Sequence, residues 1–545
     1  MSVRNVALGL ALSALAAAPA LADHRGGTMR LVAHAAAGTV DPQINYTTQF
    51  WQIEQATYDG LLAFRKAGGA AGLTIVPDLA EAIPAPQDGG KTYVFKLRPG
   101  IRFSDGTPLT AEDVAATFRR IFVVSSPTAG TFYNGIVGAD ACLKTPAGCT
   151  LPGVVADARA GTVTFHLTAP DAEFFDKLAV QHGSIVPKAS PQKDAGVTPL
   201  PGTGPYMIAA YDPTKQMRLV RNPFFKQWSK DAQPDGYPDV VLYDFGLTSE
   251  AEITEVQHGQ ADWTFDPPPG DRLGELGRDY GSQVHLSPLT EIFYAAMNVN
   301  LPPFNDPKVR LALNDAIDRN ALVKLYGGAK LAAPSCQILP PGIPGYQAYC
   351  PFGAKPGVKW AGPILARAQR LIKESGTAGQ AVTVISDSTV QLNLGTYLVS
   401  VLNQLGYKAT LHTLSSDIEF TYIQNTNNKM QIGVSSWVQD YPAPSDFLNV
   451  MFSCASFHPG SDASVDISGF CDPKLDARMR QATALSITDA PAANKLWSEV
   501  DRAITDQAPV AVMFVPRQID FVSKRVGNFT FTPQDNWIIT QSWVQ

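Results

Sequence analysis

Between Pro363 and Leu414 the apolar residues switch from helical to strand spacing, which commits this part of the chain to an α/β fold. Pro363 opens a helix with Ile364, Leu365, Ala368, Leu371 and Ile372 inward, and Gly376 ends it. A second helix is predicted from about Ser388 to Leu405, stopped by Gly406 and leading into a strand over Lys408–Leu414. Upstream, Asp306-Pro307 opens a helix with Val309, Leu313, Ala316 and Ile317 on one face, closed by Gly327-Gly328. Leu496, Val500 and Ile504 mark another, and Val510–Val515 reads as a buried strand. In the first half, Tyr93, Phe95 and Leu97 alternate along one strand, and Val163, Phe165 and Leu167 along another, with His166 on the solvated face. Thr110, with Asp113 three residues on, caps a helix carrying Val114, Phe118, Ile121 and Phe122.

A chain of 545 residues exceeds one hydrophobic core, so two or three lobes are expected. Lys and Arg number 43 against 49 Asp and Glu, a net charge of −6 that argues against nucleic acid as a partner. Arg4 precedes an apolar stretch, Val6 to Ala18, too short to span a bilayer. Ala20-x-Ala22 follows as a small-residue cleavage signature, so residues 1–22 read as a secretory signal peptide cleaved before Asp23. The mature chain is then expected to be soluble and extracytoplasmic.

Six cysteines fit an oxidising compartment. Their order suggests three local pairs, Cys142 with Cys149, Cys336 with Cys350, and Cys454 with Cys471, although six cysteines allow 15 connectivities. No pair has the C-x-x-C spacing of a redox motif or zinc ribbon.

Catalytic and cofactor motifs are scarce. Gly89-Gly90-Lys91-Thr92 lacks the first glycine of a phosphate-binding loop and reads as a turn entering a strand. Gly202-Thr203-Gly204 lacks the third glycine of a dinucleotide site. Neither G-x-S-x-G nor H-E-x-x-H occurs, and the eight histidines are scattered singly. No cofactor or metal is implied. A hydrolase triad assembled from distant residues stays open as an alternative, because triads are recognised by geometry.

A string of segments is more specific. Val76-Pro77-Asp78-Leu79-Ala80-Glu81, Lys91 to Gly100 and Phe103-Ser104-Asp105-Gly106-Thr107-Pro108-Leu109-Thr110 resemble the extracytoplasmic peptide-binding proteins of ABC importers, solute-binding family 5. The resemblance continues in order through Thr203-Gly204-Pro205-Tyr206, Arg221-Asn222-Pro223, Pro302 to Asp306, Ala316 to Arg319, Trp437 to Pro444 and Asp506 to Val510. It implies a two-lobed periplasmic-binding-protein fold with a central ligand cleft and an extra subdomain inserted in the first lobe. The boundaries that follow place the first lobe at 23–64, 199–286 and 516–545, the inserted subdomain at 65–198 and the second lobe at 287–515. The hinge is expected near Thr290 to Phe293 and Val510 to Val515.

The resemblance also implies the role: a monomer that is not an enzyme closes over a peptide in the periplasm and delivers it to the permease of an ABC importer. Asp440 matches the acidic residue that pairs with the ligand's α-amino group in peptide-binding members. Its local alternative is a helix cap or the start of the Asp440-Tyr441-Pro442 turn. Trp437 and Tyr441 flank it, and Tyr46, Phe50 and Trp51 sit in a segment where the family often places cleft residues, with core packing as the alternative. Ala443 stands where many members carry a second acid, and Gln439 where a small residue is common. Family members also bind nickel complexes, haem, opines and oligosaccharides, so a non-peptide solute stays open, as does a peptide sensor or chaperone. No basic residue is assigned to a ligand carboxylate; Lys429 reads as a solvated loop residue.

Overall fold

The computed structural model describes residues 24–389 and 391–545, and the signal-peptide reading lies outside them. Two sheets dominate. The first has five strands in the order Trp263–Thr264, Thr28–Ala33, Val240–Phe245, Gln216–Arg221 and Tyr206–Asp212. Its first three strands are parallel and its last two antiparallel. Alternation along Thr28–Ala33 sends Met29, Leu31 and Ala33 to a core with Met217, Tyr243 and Trp263, while Val32 packs against Ile253 and Val256 on the opposite face.

The second sheet is mixed, in the order Val284–Pro288, Val510–Phe521, Glu291–Met297, Ile432–Val438, Ala381–Asp387 and Lys408–Leu414, with Ala332–Pro334 added on Val510–Phe521. Ala381–Asp387 lies parallel to both of its neighbours, as the intervening helix Leu392–Gln404 requires. The 12-residue strand Val510–Phe521 pairs first with Glu291–Met297 and then with Val284–Pro288, and Val522 bridges to Trp263 of the first sheet. The chain therefore crosses between sheets around 284–291 and 516–522. Val510–Val515, expected at the hinge, lies inside the second sheet, where Val510–Phe514 pairs with Phe293–Ala296 and Phe514 and Val515 pair also with Pro334 and Ala333.

A third, three-stranded antiparallel sheet, Thr92–Lys96, Thr162–His166 and Val154–Asp157, packs Phe95 and Phe165 against Phe118 of the helix Ala111–Val123. Asp113 accepts from both the amide and the hydroxyl of Thr110, at 2.8 and 2.6 Å, and fixes the start of that helix. Arg120, one turn from its end, forms a buried ion pair with Asp41 and also donates to Gln43 Oε1 and to the carbonyls of Pro191 and Lys193.

Several expected elements shift. The helix opened by Asp306 divides into Pro307–Ala316 and Arg319–Tyr326, because Ile317 is extended and Asp318 caps a new start by accepting from Asn320 and Ala321. The helix expected from Ser388 begins at Leu392, since Asp387 Oδ1 holds the amides of Thr389 and Gln391 in a turn. The helix expected from Pro363 is Leu365–Ser375, with Ala368 and Ile372 buried but Leu365 exposed, and Gly376 ends it at φ 68°. The strand Lys408–Leu414 falls where the spacing puts it.

All six cysteines are paired as their order suggests: Cys142–Cys149, Cys336–Cys350 and Cys454–Cys471, with Cα separations of 4.4, 5.0 and 4.6 Å. Among the described residues no helix is long and apolar enough to cross a membrane.

Candidate functional site

Where the strand Ile432–Val438 ends, the chain leaves the second sheet and turns through Asp440 and Tyr441 into the helix Pro444–Phe452. Pro444 sets the first helical φ, but Ala443 at the cap offers no side-chain acceptor. Asp446, in the first turn, supplies one from inside the helix: its Oδ2 accepts the Asp440 amide at 2.9 Å. Gln534 donates to the carbonyl oxygen of Asp440. The backbone around Asp440 is thus fixed by its neighbours, and the Asp440 side chain is not itself a cap.

That side chain points at the opposite side of the cleft, where the hydroxyl of Tyr46 donates to Oδ2. Asp440 is buried and Tyr46 half-buried, and among the described residues no Lys or Arg pairs with Asp440 or Asp446; the buried ion pairs use Asp41, Asp535, Asp171, Glu173 and Asp315 instead. Burial pushes the Asp440 carboxyl up to about 7, against the opposing hydrogen bonds from Tyr46 and Asp446. Asp446 is raised too, by burial and then by the charge of Asp440, so the two acids titrate as a pair.

Aromatic rings surround this acid. Tyr46 meets Trp51 at 5.5 Å, His182 edge-on at 4.9 Å and Trp437 edge-on at 5.6 Å. Trp51 is positioned by the helix Thr48–Glu54, which Thr47 caps, and its indole donates to Asn45 O at 3.2 Å. His182 is fully buried, with neither ring nitrogen hydrogen-bonded, and burial lowers it to about 3, which keeps the imidazole neutral. The cavity beside these rings is lined by Trp51, Gln52, Gln181, Gln439, Asp440, Gln534 and Asn536.

The structure therefore brings together Asp440, Tyr46, Trp51 and Trp437 of the residues singled out in the sequence. Phe50 turns the other way, into the core of the first sheet against Tyr211 at 5.7 Å. Tyr441 faces residues 132–177: its ring meets Phe132 at 5.3 Å, and its hydroxyl lies 3.0 Å from Ser445, which donates to Glu173. Lys429 is an exposed turn residue at φ 53°. Asp446, His182 and Gln534 were not singled out. The position of Asp446 just after Pro444 is a helix-start signal, whereas a lone His or Gln carries none.

Among the described residues no group of three or more metal-ligating side chains is assembled. The arrangement is suited to holding a cation: a buried carboxylate without a counter-charge, walled by rings.

The family model of bacterial extracellular solute-binding proteins, family 5 (middle), matches residues 74–458. The chain is 26% identical to the glutathione-binding protein GsiB of Salmonella typhi over 97% of this chain and 96% of that protein. It is 25% identical to GsiB of Escherichia coli (strain K12), over 91% and 90% of the two chains. Its fold matches the ABC transporter-associated periplasmic binding protein DppA from Helicobacter pylori, solved with the peptide STSA, at a TM-score of 0.81 and 20% identity over 96% and 99% of the chains. It also matches the murein tripeptide binding protein MppA of Escherichia coli, at a TM-score of 0.79 and 22% identity over 95% and 99%. With two sheets facing each other across a cleft, and with the family match over most of its length, the chain belongs to the bacterial extracellular solute-binding proteins, family 5.

Proposed function

We propose that this chain is the extracytoplasmic binding component of an ABC importer and captures short peptides by their free amino terminus. The observation that carries the reading is the Asp440 carboxyl, buried without a cation and facing a cavity. A peptide ammonium placed there would replace Tyr46 as donor and supply the missing charge, in a site where exclusion of water strengthens the hydrogen bond. A solute without a cation would leave the acid unpaired, which is costly, so the same group selects as well as binds. Relatives named for glutathione, a murein tripeptide and a bound tetrapeptide support a small peptide as the ligand class.

On this reading the output is capture and release rather than chemistry. The two sides close about the crossings near 284–291 and 516–522. The lobe limits 23–64, 199–286 and 516–545, with 65–198 inserted and 287–515 as the second lobe, belong to the same proposal. So do cleavage after Ala22, residence in the periplasm, a monomeric state and a membrane permease as partner. The test is to purify the secreted protein, release what co-purifies and identify it by mass spectrometry. Short peptides with free amino termini are expected; a metal complex, haem or a sugar would overturn the ligand class.

A further inference from the structure

The cavity beside Asp440 is walled mainly by primary amides: Gln52, Gln181, Gln439, Gln534 and Asn536. Its acids are Asp440 and Asp535, and among the described residues no Lys or Arg lines it. Asp535 is already compensated, because Lys66 approaches its Oδ2 at 3.0 Å with both side chains buried. Beyond the Asp440 carboxyl, the cavity therefore offers dipoles and no spare cation.

Some of these amides are engaged within the protein. Gln439 Nε2 donates to Gln534 Oε1 at 3.4 Å, and Gln534 Nε2 donates to the Asp440 carbonyl. Gln52 Nε2 reaches the carbonyl of Trp537 at 3.5 Å. The side-chain amides of Gln181 and Asn536 are different: they take no hydrogen bond from any described residue, and both residues are half-buried.

Their neighbours nevertheless fix where they stand. Gln181 opens the 3₁₀ turn Gln181–Gly183, and the next residue, His182, sets its ring edge-on against Tyr46 at 4.9 Å and Trp51 at 5.3 Å. Asn536 belongs to the hairpin that pairs Phe531–Thr532 with Asn536–Trp537. The turn of that hairpin is tied by Thr532 Oγ1, which accepts the amides of Gln534 at 2.9 Å and Asp535 at 3.3 Å. Asn536 has φ 57°, in the left-handed region that Asn tolerates and most residues avoid. Two positioned carboxamides, each with donor and acceptor unengaged, thus share one cavity with the carboxylate assigned to the ligand's ammonium.

We propose that Gln181 and Asn536 read the side chain of the ligand's first residue and select a short, uncharged one that both donates and accepts, asparagine above all. The inference rests on the amino-terminal reading and deepens it, since an ammonium on Asp440 puts the first residue inside this cavity. A carboxamide pairs with a carboxamide through one N–H donated in each direction. An apolar side chain of the same shape leaves both protein amides desolvated and unpaired. A carboxylate enters beside Asp440 and Asp535 with no cation to receive it.

The test is calorimetric titration of the ligand-free mature protein with Asn-Ala-Ala, Leu-Ala-Ala, Asp-Ala-Ala and acetylated Asn-Ala-Ala. The first three differ in polarity and charge at nearly constant shape. Asn-Ala-Ala is expected to bind about tenfold or more tightly than the leucine and aspartate peptides. Gln181→Met removes one amide, and Asn536→Gly removes the other while keeping the left-handed backbone. In each variant the preference for asparagine over leucine is expected to fall to within about threefold. Leu-Ala-Ala binding the unmodified protein as tightly as Asn-Ala-Ala would overturn the inference, as would a preference retained in both variants. Weak binding of the acetylated peptide leaves the amino-terminal anchor standing in either case. Equal binding of the acetylated and free peptides would overturn the anchor and the inference with it, and so would binding of none of the peptides.

Discussion

The hydroxyl of Tyr46 donates to the carboxylate of Asp440, joining residues 394 positions apart and linking the two sides of the cleft through one hydrogen bond. A phenol is a neutral donor where the site is built for a cation. Asp440→Asn is expected to weaken peptide binding by about 10- to 100-fold, the range for a charge-assisted hydrogen bond, with the unliganded melting temperature little changed. Tyr46→Phe removes the internal donor but not the charge, and peptide affinity is expected to stay within about threefold of the unmodified protein. Calorimetric titration of both variants checks this, and the reverse ranking would move the anchor away from Asp440.

Peptide affinity should depend on pH, with a sign that follows from burial. Asp440 is held up at about 7 in the empty site, and a bound ammonium favours its ionised form. Binding below pH 7 must therefore expel a proton, and affinity falls by up to about tenfold for each unit below that value. Above about pH 8 the peptide's own amino group deprotonates and affinity falls again. The maximum is expected between these limits. Titrations in buffers of different ionisation enthalpy should show proton release near pH 6 that disappears in Asp440→Asn.

Arg120 and Asp41 form a buried ion pair at the junction of three chain segments. Removing the cation alone leaves Asp41 buried and uncompensated, so Arg120→Met is expected to cost about 3–5 kcal/mol. The double variant Arg120→Met with Asp41→Asn should lose less than the sum of the two single changes. Denaturant titration measures both.

Peptide mapping without reducing agent should recover Cys142–Cys149, Cys336–Cys350 and Cys454–Cys471 and no free thiol. Replacing both Cys454 and Cys471 by serine is expected to cost about 3 kcal/mol, more than removing the shorter Cys142–Cys149 loop, because the longer loop constrains the unfolded chain more.

Elements with a strong local period were legible in the sequence: the strand through Tyr93 and Phe95, the helix capped at Thr110 and the strand Lys408–Leu414 all lie where spacing puts them. The break at Ile317-Asp318 was not, because the apolar stripe continues through it and only the Asp318 cap divides the helix. The second sheet gathers strands from residues 284 to 521, and such non-local pairing leaves no local trace. Gly202 and Gly204, which resembled a dinucleotide fragment, are required for packing: a Cβ at Gly202 would lie 2.0 Å from Thr57 O, and one at Gly204 2.7 Å from Ala56 O. At the site, Asp440 and Trp437 were legible through their family segment. His182 and Gln534 are isolated polar residues whose burial exists only in the assembled fold.

The amino-terminal anchor is tested most directly by titrating the ligand-free mature protein at neutral pH with one peptide in two forms, amino terminus free and acetylated. Acetylation removes the charge and keeps the rest of the ligand. The free form should bind at least about 100-fold more tightly. Equal affinity for the two forms would contradict the assignment of Asp440 as the site of the ligand's ammonium.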